Sequence, residues 1–230
     1  MYRNIVIVLV IVLTICDAAP ATAAPAAPSR ILFLGNSITR HGPLDTHRGL
    51  WGMAATEPDL DYVHRLQLRL AANTGIVPEI RIAACNINWC LPEYLEPIMQ
   101  DFAPDLVIVQ TGDNSTGLDQ VGYMDRLQSI LDTMPGDATV IVTGVWYSQQ
   151  RESWNETLAV RNGMDFAPIF DLNVADNRQY LNCAPDDAIC SHPGDRGHAA
   201  IADRIYDAWT AKSNRTSAPI YLPMIRASSA

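Results

Sequence analysis

The chain has 230 residues, a formal net charge of −9, 48% hydrophobic residues and five cysteines. The acidic balance carries no long acidic block, and it argues against nucleic acid or an acidic lipid surface as partner. The length fits one domain with a substantial core, and nothing requires a second.

In chain order, Arg3 leads into the apolar run Ile5 to Ile15 and then into small residues, the pattern of an export signal. The run is short for a bilayer span. Ala21-Thr22-Ala23 predicts cleavage after Ala23, so residues 1–23 read as a signal peptide and the mature chain as secreted or periplasmic, without stable membrane insertion. Net charge stays at −9 after removal, because Arg3 and Asp17 cancel. Cys16 follows the bulky Ile15, where a lipid-attachment site needs a small residue. An Ala/Pro-rich spacer is expected over 24–29, the domain over 30–213 and a tail over 214–230.

From Arg30 onward, short Ile/Val/Leu runs alternate with segments of helical period. This is the pattern of a parallel sheet covered on both faces. The runs predict strands over Ile31 to Leu34, Glu79 to Ala84, Asp105 to Gln110, Thr139 to Thr143 and Pro168 to Leu172. Amphipathic segments predict helices near Asp61 to Ala72, Pro92 to Asp101, Gly122 to Met134, Trp154 to Gly163 and Gly197 to Lys212. Right-handed crossovers then give an α/β fold, a three-layer α/β/α sandwich around a flavodoxin-like five-stranded parallel sheet. Its ligands bind beyond the carboxyl ends of the strands.

Three segments stand out, two of them at such ends. Gly35-Asn36-Ser37 follows the first strand, where a serine on a strand-to-helix turn suits a nucleophile or, equally, a helix N-cap. Gly112-Asp113-Asn114 follows the third strand, where an asparagine amide can face the same place or simply make a turn. His192-Pro193-Gly194-Asp195-Arg196-Gly197-His198 precedes the last helix, and a histidine there can serve a distant serine as base.

Together, and in this order, the segments resemble the GDS(L), Gly-x-Asn and HPxDxGH blocks of the SGNH (GDSL-like) hydrolases, over essentially the whole mature chain. The resemblance implies Ser37 as nucleophile, Ser37 and Asn114 as oxyanion donors, and His192 as base. Asn36 stands where the more familiar spelling has aspartate. Two positions depart from the pattern. No glycine occurs in Ala83-Ala84-Cys85-Asn86-Ile87-Asn88-Trp89, and the acid expected three residues before the histidine falls on Ile189. Asp187 is the leading substitute, with Asp186 or a backbone carbonyl as alternatives. Asp195 and His198 have the spacing of an acid and a base in one turn and form the alternative pair, but the resemblance puts His198 where the last helix begins, so it reads as a packing or capping residue and Asp195 as a turn residue.

His41 and Trp51 follow the nucleophile turn and are placed to shape a pocket rim, His41 being the substrate-contact candidate. Four cysteines remain after the leader; three pairings are open, and the short spacings favour Cys85 with Cys90 and Cys183 with Cys190. A zinc site would call for CxxC-like spacing, so no metal and no cofactor is expected. Asn114, Asn155 and Asn214 each begin a glycosylation-type triplet. The expected activity is hydrolysis of carboxylic esters, short acyl or acetyl, with small-molecule or carbohydrate carriers. The rivals are a catalytically silent carbohydrate-binding protein and an acyltransferase using the same acyl-enzyme.

Overall fold

The computed structural model describes residues 27–43, 49–178 and 188–216. The expected signal peptide, the tail beyond 216, Asp186, Asp187 and Cys183 lie outside the described residues.

Five strands form one all-parallel sheet in the order β2-β1-β3-β4-β5. They are β1 (Arg30–Gly35), β2 (Glu79–Ala84), β3 (Leu106–Gln110), β4 (Thr139–Thr143) and β5 (Asp165–Ala167). The helices are α1 (Tyr62–Thr74), α2 (Pro92–Phe102), α3 (Gln120–Leu131), α4 (Gln149–Arg161) and α5 (Asp195–Thr216). Side chains alternate across a strand, so each apolar run feeds two cores. Leu32, Leu34, Val107, Val109, Val140 and Val142 pack with Leu95, Phe102, Leu127 and Leu158 from α2, α3 and α4. Ile31, Phe33, Leu106, Ile108 and Ile141 pack on the opposite face with Leu66 and Leu70 of α1 and Ile201, Ile205 and Trp209 of α5. The expected three-layer sandwich is therefore present, with two helices on one face and three on the other.

The fifth strand lies earlier than the sequence predicts. It occupies Asp165–Ala167, and Phe170–Leu172 is a 3-10 turn instead. Pro168 has no N–H for a ladder. The amides of Ile169 and Phe170 donate to Glu152 Oε2 at 2.8 and 2.7 Å, which takes them out of sheet pairing. Helix α4 also begins five residues before Trp154, capped by Ser148, whose hydroxyl accepts from the Arg151 amide. Its polar start, Gln149-Gln150-Arg151-Glu152-Ser153, hid it from a search for apolar period. Asp119 caps α3 in the same way, accepting from the Gly122 amide at 2.8 Å.

Cys85 and Cys90 form a disulfide in the loop after β2. Cys190 is disulfide-bonded as well; the expected partner, Cys183, is outside the described residues. No described helix is long and apolar enough to cross a membrane.

Candidate active site

The site is built where β1, β2, β3 and β4 end. At the end of β1 the chain turns over Asn36, whose carbonyl accepts the amides of Thr39 and Arg40, both at 2.9 Å. Only glycine fits at position 35, because a Cβ there would overlap the Thr39 hydroxyl and approach Gln110 O to 2.9 Å. The turn presents Ser37 in a half-buried position. Its Oγ lies 2.9 Å from His192 Nε2. With Nε2 unprotonated, the hydroxyl donates to the ring, the arrangement from which proton transfer proceeds.

His192 is 7% exposed and follows a 3-10 turn, Ala188–Ser191. A wall from the end of β4 backs this segment. Trp146 Nε1 donates to Ser191 O at 2.9 Å, the Tyr147 hydroxyl pairs with Ser191 Oγ at 3.2 Å, and the Tyr147 ring stands edge-on to His192 at 5.7 Å between centroids. Ile189, where the family's spacing would put the acid, is buried with Met53, Ala54 and Cys190 in a small apolar cluster.

Beyond β3, Gly112 adopts φ +118, and a Cβ would meet the Tyr123 hydroxyl at 2.1 Å. The turn exposes Asn114. Two groups hold it from behind. Arg151 of α4 donates to Gly112 O at 3.3 Å and to Ser115 O at 2.7 Å. Asp113 turns inward, accepting from Gln110 Nε2 at 2.7 Å and from the Tyr147 amide at 3.1 Å. Burial pushes the Asp113 carboxyl up to about 6, against the lowering effect of the Tyr147 amide, Gln110, Asn36 and the Trp146 amide. Neither Arg151 nor Asp113 stood out in the sequence as a site residue. The glycine-adjacent position of Asp113 and the unusual Asn36 were the available signals.

The β2 loop joins the same rim. The Cys85 amide donates to Gly35 O at 2.8 Å, and Asn88 Nδ2 reaches Asn114 O at 3.3 Å. Asn86 uses its side-chain oxygen to accept the Asn88 amide at 3.0 Å. His41 sits on the chain leaving the Ser37 turn, its amide donating to Trp51 O at 2.9 Å.

His198 is placed elsewhere. It is fully buried and stacked on Tyr62, with Nδ1 accepting the Tyr62 amide at 3.3 Å and Nε2 donating to Met53 O at 3.0 Å. Its pKa is lowered, chiefly by burial. Asp195 opens α5 and receives the amide and hydroxyl of Thr56, both at 2.8 Å. Asn155 is fully buried, bonded to Tyr123 Oη, Thr111 O and Thr143 O, so a glycan cannot reach it in the folded chain. Among the described residues no three His, Cys, Asp or Glu side chains group as metal ligands.

No family model matches the chain, and no curated protein matches it in sequence. Solved structures do. The psychrotrophic esterase EstA from Pseudoalteromonas sp. aligns with a TM-score of 0.58 and 16% identity, over 81% of this chain and 99% of that one. The family 3 carbohydrate esterase from Clostridium thermocellum aligns at 0.55 and 14% identity, over 82% and 98%. A catalytic mutant of Axe2, an acetylxylan esterase from Geobacillus stearothermophilus, aligns at 0.53 and 18% identity, over 78% and 93%. A GDSL-like lipase from Parabacteroides merdae is also similar, at 0.53 and 16%. The likeness is one of fold: the chain has the SGNH hydrolase architecture.

Proposed function

We propose that this SGNH-fold chain is a secreted serine esterase that cleaves short acyl esters through an acyl-enzyme on Ser37. The observation that carries the reading is the 2.9 Å contact between Ser37 Oγ and His192 Nε2, formed across 155 residues of sequence. Ser37 Oγ attacks the ester carbonyl as His192 Nε2 takes its proton. The Ser37 amide and the Asn114 side chain receive the developing oxyanion. His192 then protonates the departing alcohol, and water, deprotonated by the same ring, releases the acid. Asp187 is the proposed orienting acid, with Asp186 as the alternative.

Export accords with the Cys85–Cys90 disulfide, since such bonds persist in oxidising compartments. A carbohydrate carrier for the ester is supported by two observations. Trp89 and Tyr94, on and just after the β2 loop, are 49% and 42% exposed and form an edge-on pair at 6.1 Å. Aromatic faces of this kind suit the apolar C–H faces of sugar rings. Two of the similar structures are also a carbohydrate esterase and an acetylxylan esterase.

Hydrolysis of p-nitrophenyl acetate by the purified protein tests the proposal. Ser37→Ala and His192→Ala should each lower kcat by about 10^3-fold or more. A wild type with no turnover, or a Ser37→Ala variant as active as wild type, overturns it. Acetate release from acetylated xylan tests the carrier. Acceleration by an added sugar, with transfer product formed, would move the assignment to acyl transfer.

A further inference from the structure

Asn36 and Asp113 meet beneath the site. Both are buried, at 7% and 9% exposure, Asn36 in the turn that carries Ser37, where Ile38 N donates to its Oδ1 at 3.3 Å, and Asp113 in the turn that presents Asn114. The Asn36 amide nitrogen is buried and falls outside hydrogen-bond geometry with any described atom, yet it lies near enough to Asp113 to favour the ionised carboxylate. The same carboxylate receives the amide of Tyr147, whose ring stands against His192. Through Gln110 it also joins a buried chain, Gln110 Oε1 accepting from Thr39 Oγ1 at 3.1 Å, with Tyr62 Oη 2.8 Å further on.

One carboxylate therefore sits on the turn that presents Asn114, is linked through Gln110 and Thr39 to the turn that carries Ser37, and bonds the amide of Tyr147, whose ring packs against His192. We infer that Asp113 is a positioning residue: its buried carboxylate, with Asn36 as amide partner, sets the relative placement of Ser37, Asn114 and His192. This rests on the esterase reading above. The pair joins one carboxylate and one amide. Here the amide stands beside the nucleophile, where the resemblance places an acid, and the acid stands on the opposite turn.

The other titratable groups that feel the Asp113 charge are the hydroxyls of Tyr62, Tyr123 and Tyr147; the Trp146 amide also favours the ionised carboxylate, and His192 lies beyond the Tyr147 ring. Arg151 spends its donors on backbone carbonyls, including Asp113 O at 3.5 Å. It grips the turn rather than the carboxylate.

Exchanging the two residues is the test. At about pH 8, Asn36→Asp sets two carboxylates face to face and Asp113→Asn leaves two amides; each should lower kcat for p-nitrophenyl acetate by about tenfold or more with KM changed less than about threefold. The double exchange Asn36→Asp/Asp113→Asn should recover kcat to within about threefold of wild type. A double variant no better than the product of the two single losses overturns the inference, as does an Asp113→Asn enzyme with wild-type kcat.

If Asp113→Asn does not fold, Asn36→Asp carries the test alone. Its kcat relative to wild type at the same pH should rise by about threefold or more from about pH 8 to about pH 5.5, as one of the paired carboxylates takes a proton. A ratio independent of pH refutes the inference. Thermal midpoints of the four proteins give a readout free of turnover. Coupling in the midpoints with no ester hydrolysis by wild type would sink the esterase reading and leave the buried pair standing, whereas additive midpoints with normal turnover would do the reverse.

Discussion

Two histidines six residues apart have opposite surroundings, and the difference decides what each can do. His192 presents Nε2 to the Ser37 hydroxyl, whereas both ring nitrogens of His198 are bonded to backbone inside the core. A Cβ on Gly52 would come within 2.7 Å of the His198 ring, so the loop and the ring pack without spare room. His198→Ala should therefore cost about 2–4 kcal/mol of stability, from the cavity and the unpaired carbonyl of Met53. It should keep kcat for p-nitrophenyl acetate within about threefold of wild type while folded. Urea unfolding alongside the ester assay checks both parts, and a thousandfold loss of kcat in folded His198→Ala would exchange the proposed roles of the two rings. From sequence, the resemblance of the closing motif favours His192 over His198 as the base. Asp113 was beyond reach, because its meaning depends on Asn36, Gln110 and Tyr147 converging from three strand ends.

Among the elements, α4 does most to frame the site. Neighbouring residues on its first turn reach different ways: Arg151 to the carbonyls of Gly112 and Ser115, Glu152 to the amides of Ile169 and Phe170. Glu152 also explains Gly144, where a Cβ would overlap the carboxylate. Arg151→Ala frees the Asn114 turn without touching Ser37 or His192. It should reduce kcat by about tenfold and leave the fold intact, since Arg151 is half-buried at the rim rather than in the core. Unchanged kcat in Arg151→Ala would show that the turn holds itself. Four strands were legible because their Val/Ile/Leu runs are flanked by turn residues. The fifth was misplaced because Pro168 and the distant Glu152 together withdraw Ile169 and Phe170 from the sheet, and an apolar run does not reveal where its amides go.

At the scale of the molecule, buried titratable groups set opposing dependences of stability on pH. Asp113 is raised to about 6 by burial, so its contribution is greatest below its unfolded value near 3.8 and is lost as pH rises through about 6. His198 is lowered, so its contribution is full above its unfolded value of 6.5 and is lost as pH falls. His64, raised mainly by its hydrogen bond to Asp61, adds stability below 6.5 that disappears as pH climbs past its folded value. Thermal midpoints should show Asp113→Asn gaining on wild type between about pH 4 and about pH 7, and His198→Asn losing less than wild type on acidification below about pH 6.5. Parallel curves for all three proteins would mean that neither group is linked to folding.

The polypeptide order of the site has a consequence in time. Ser37 and the oxyanion turn lie in the first half of the chain, but His192 and α5, which completes the second core against α1, come near the end. Under the proposed mechanism, a growing chain thus holds a serine hydroxyl without its base until the segment bearing His192 has docked. For the esterase proposed above, hydrolysis therefore begins only once the last helix has folded onto the sheet.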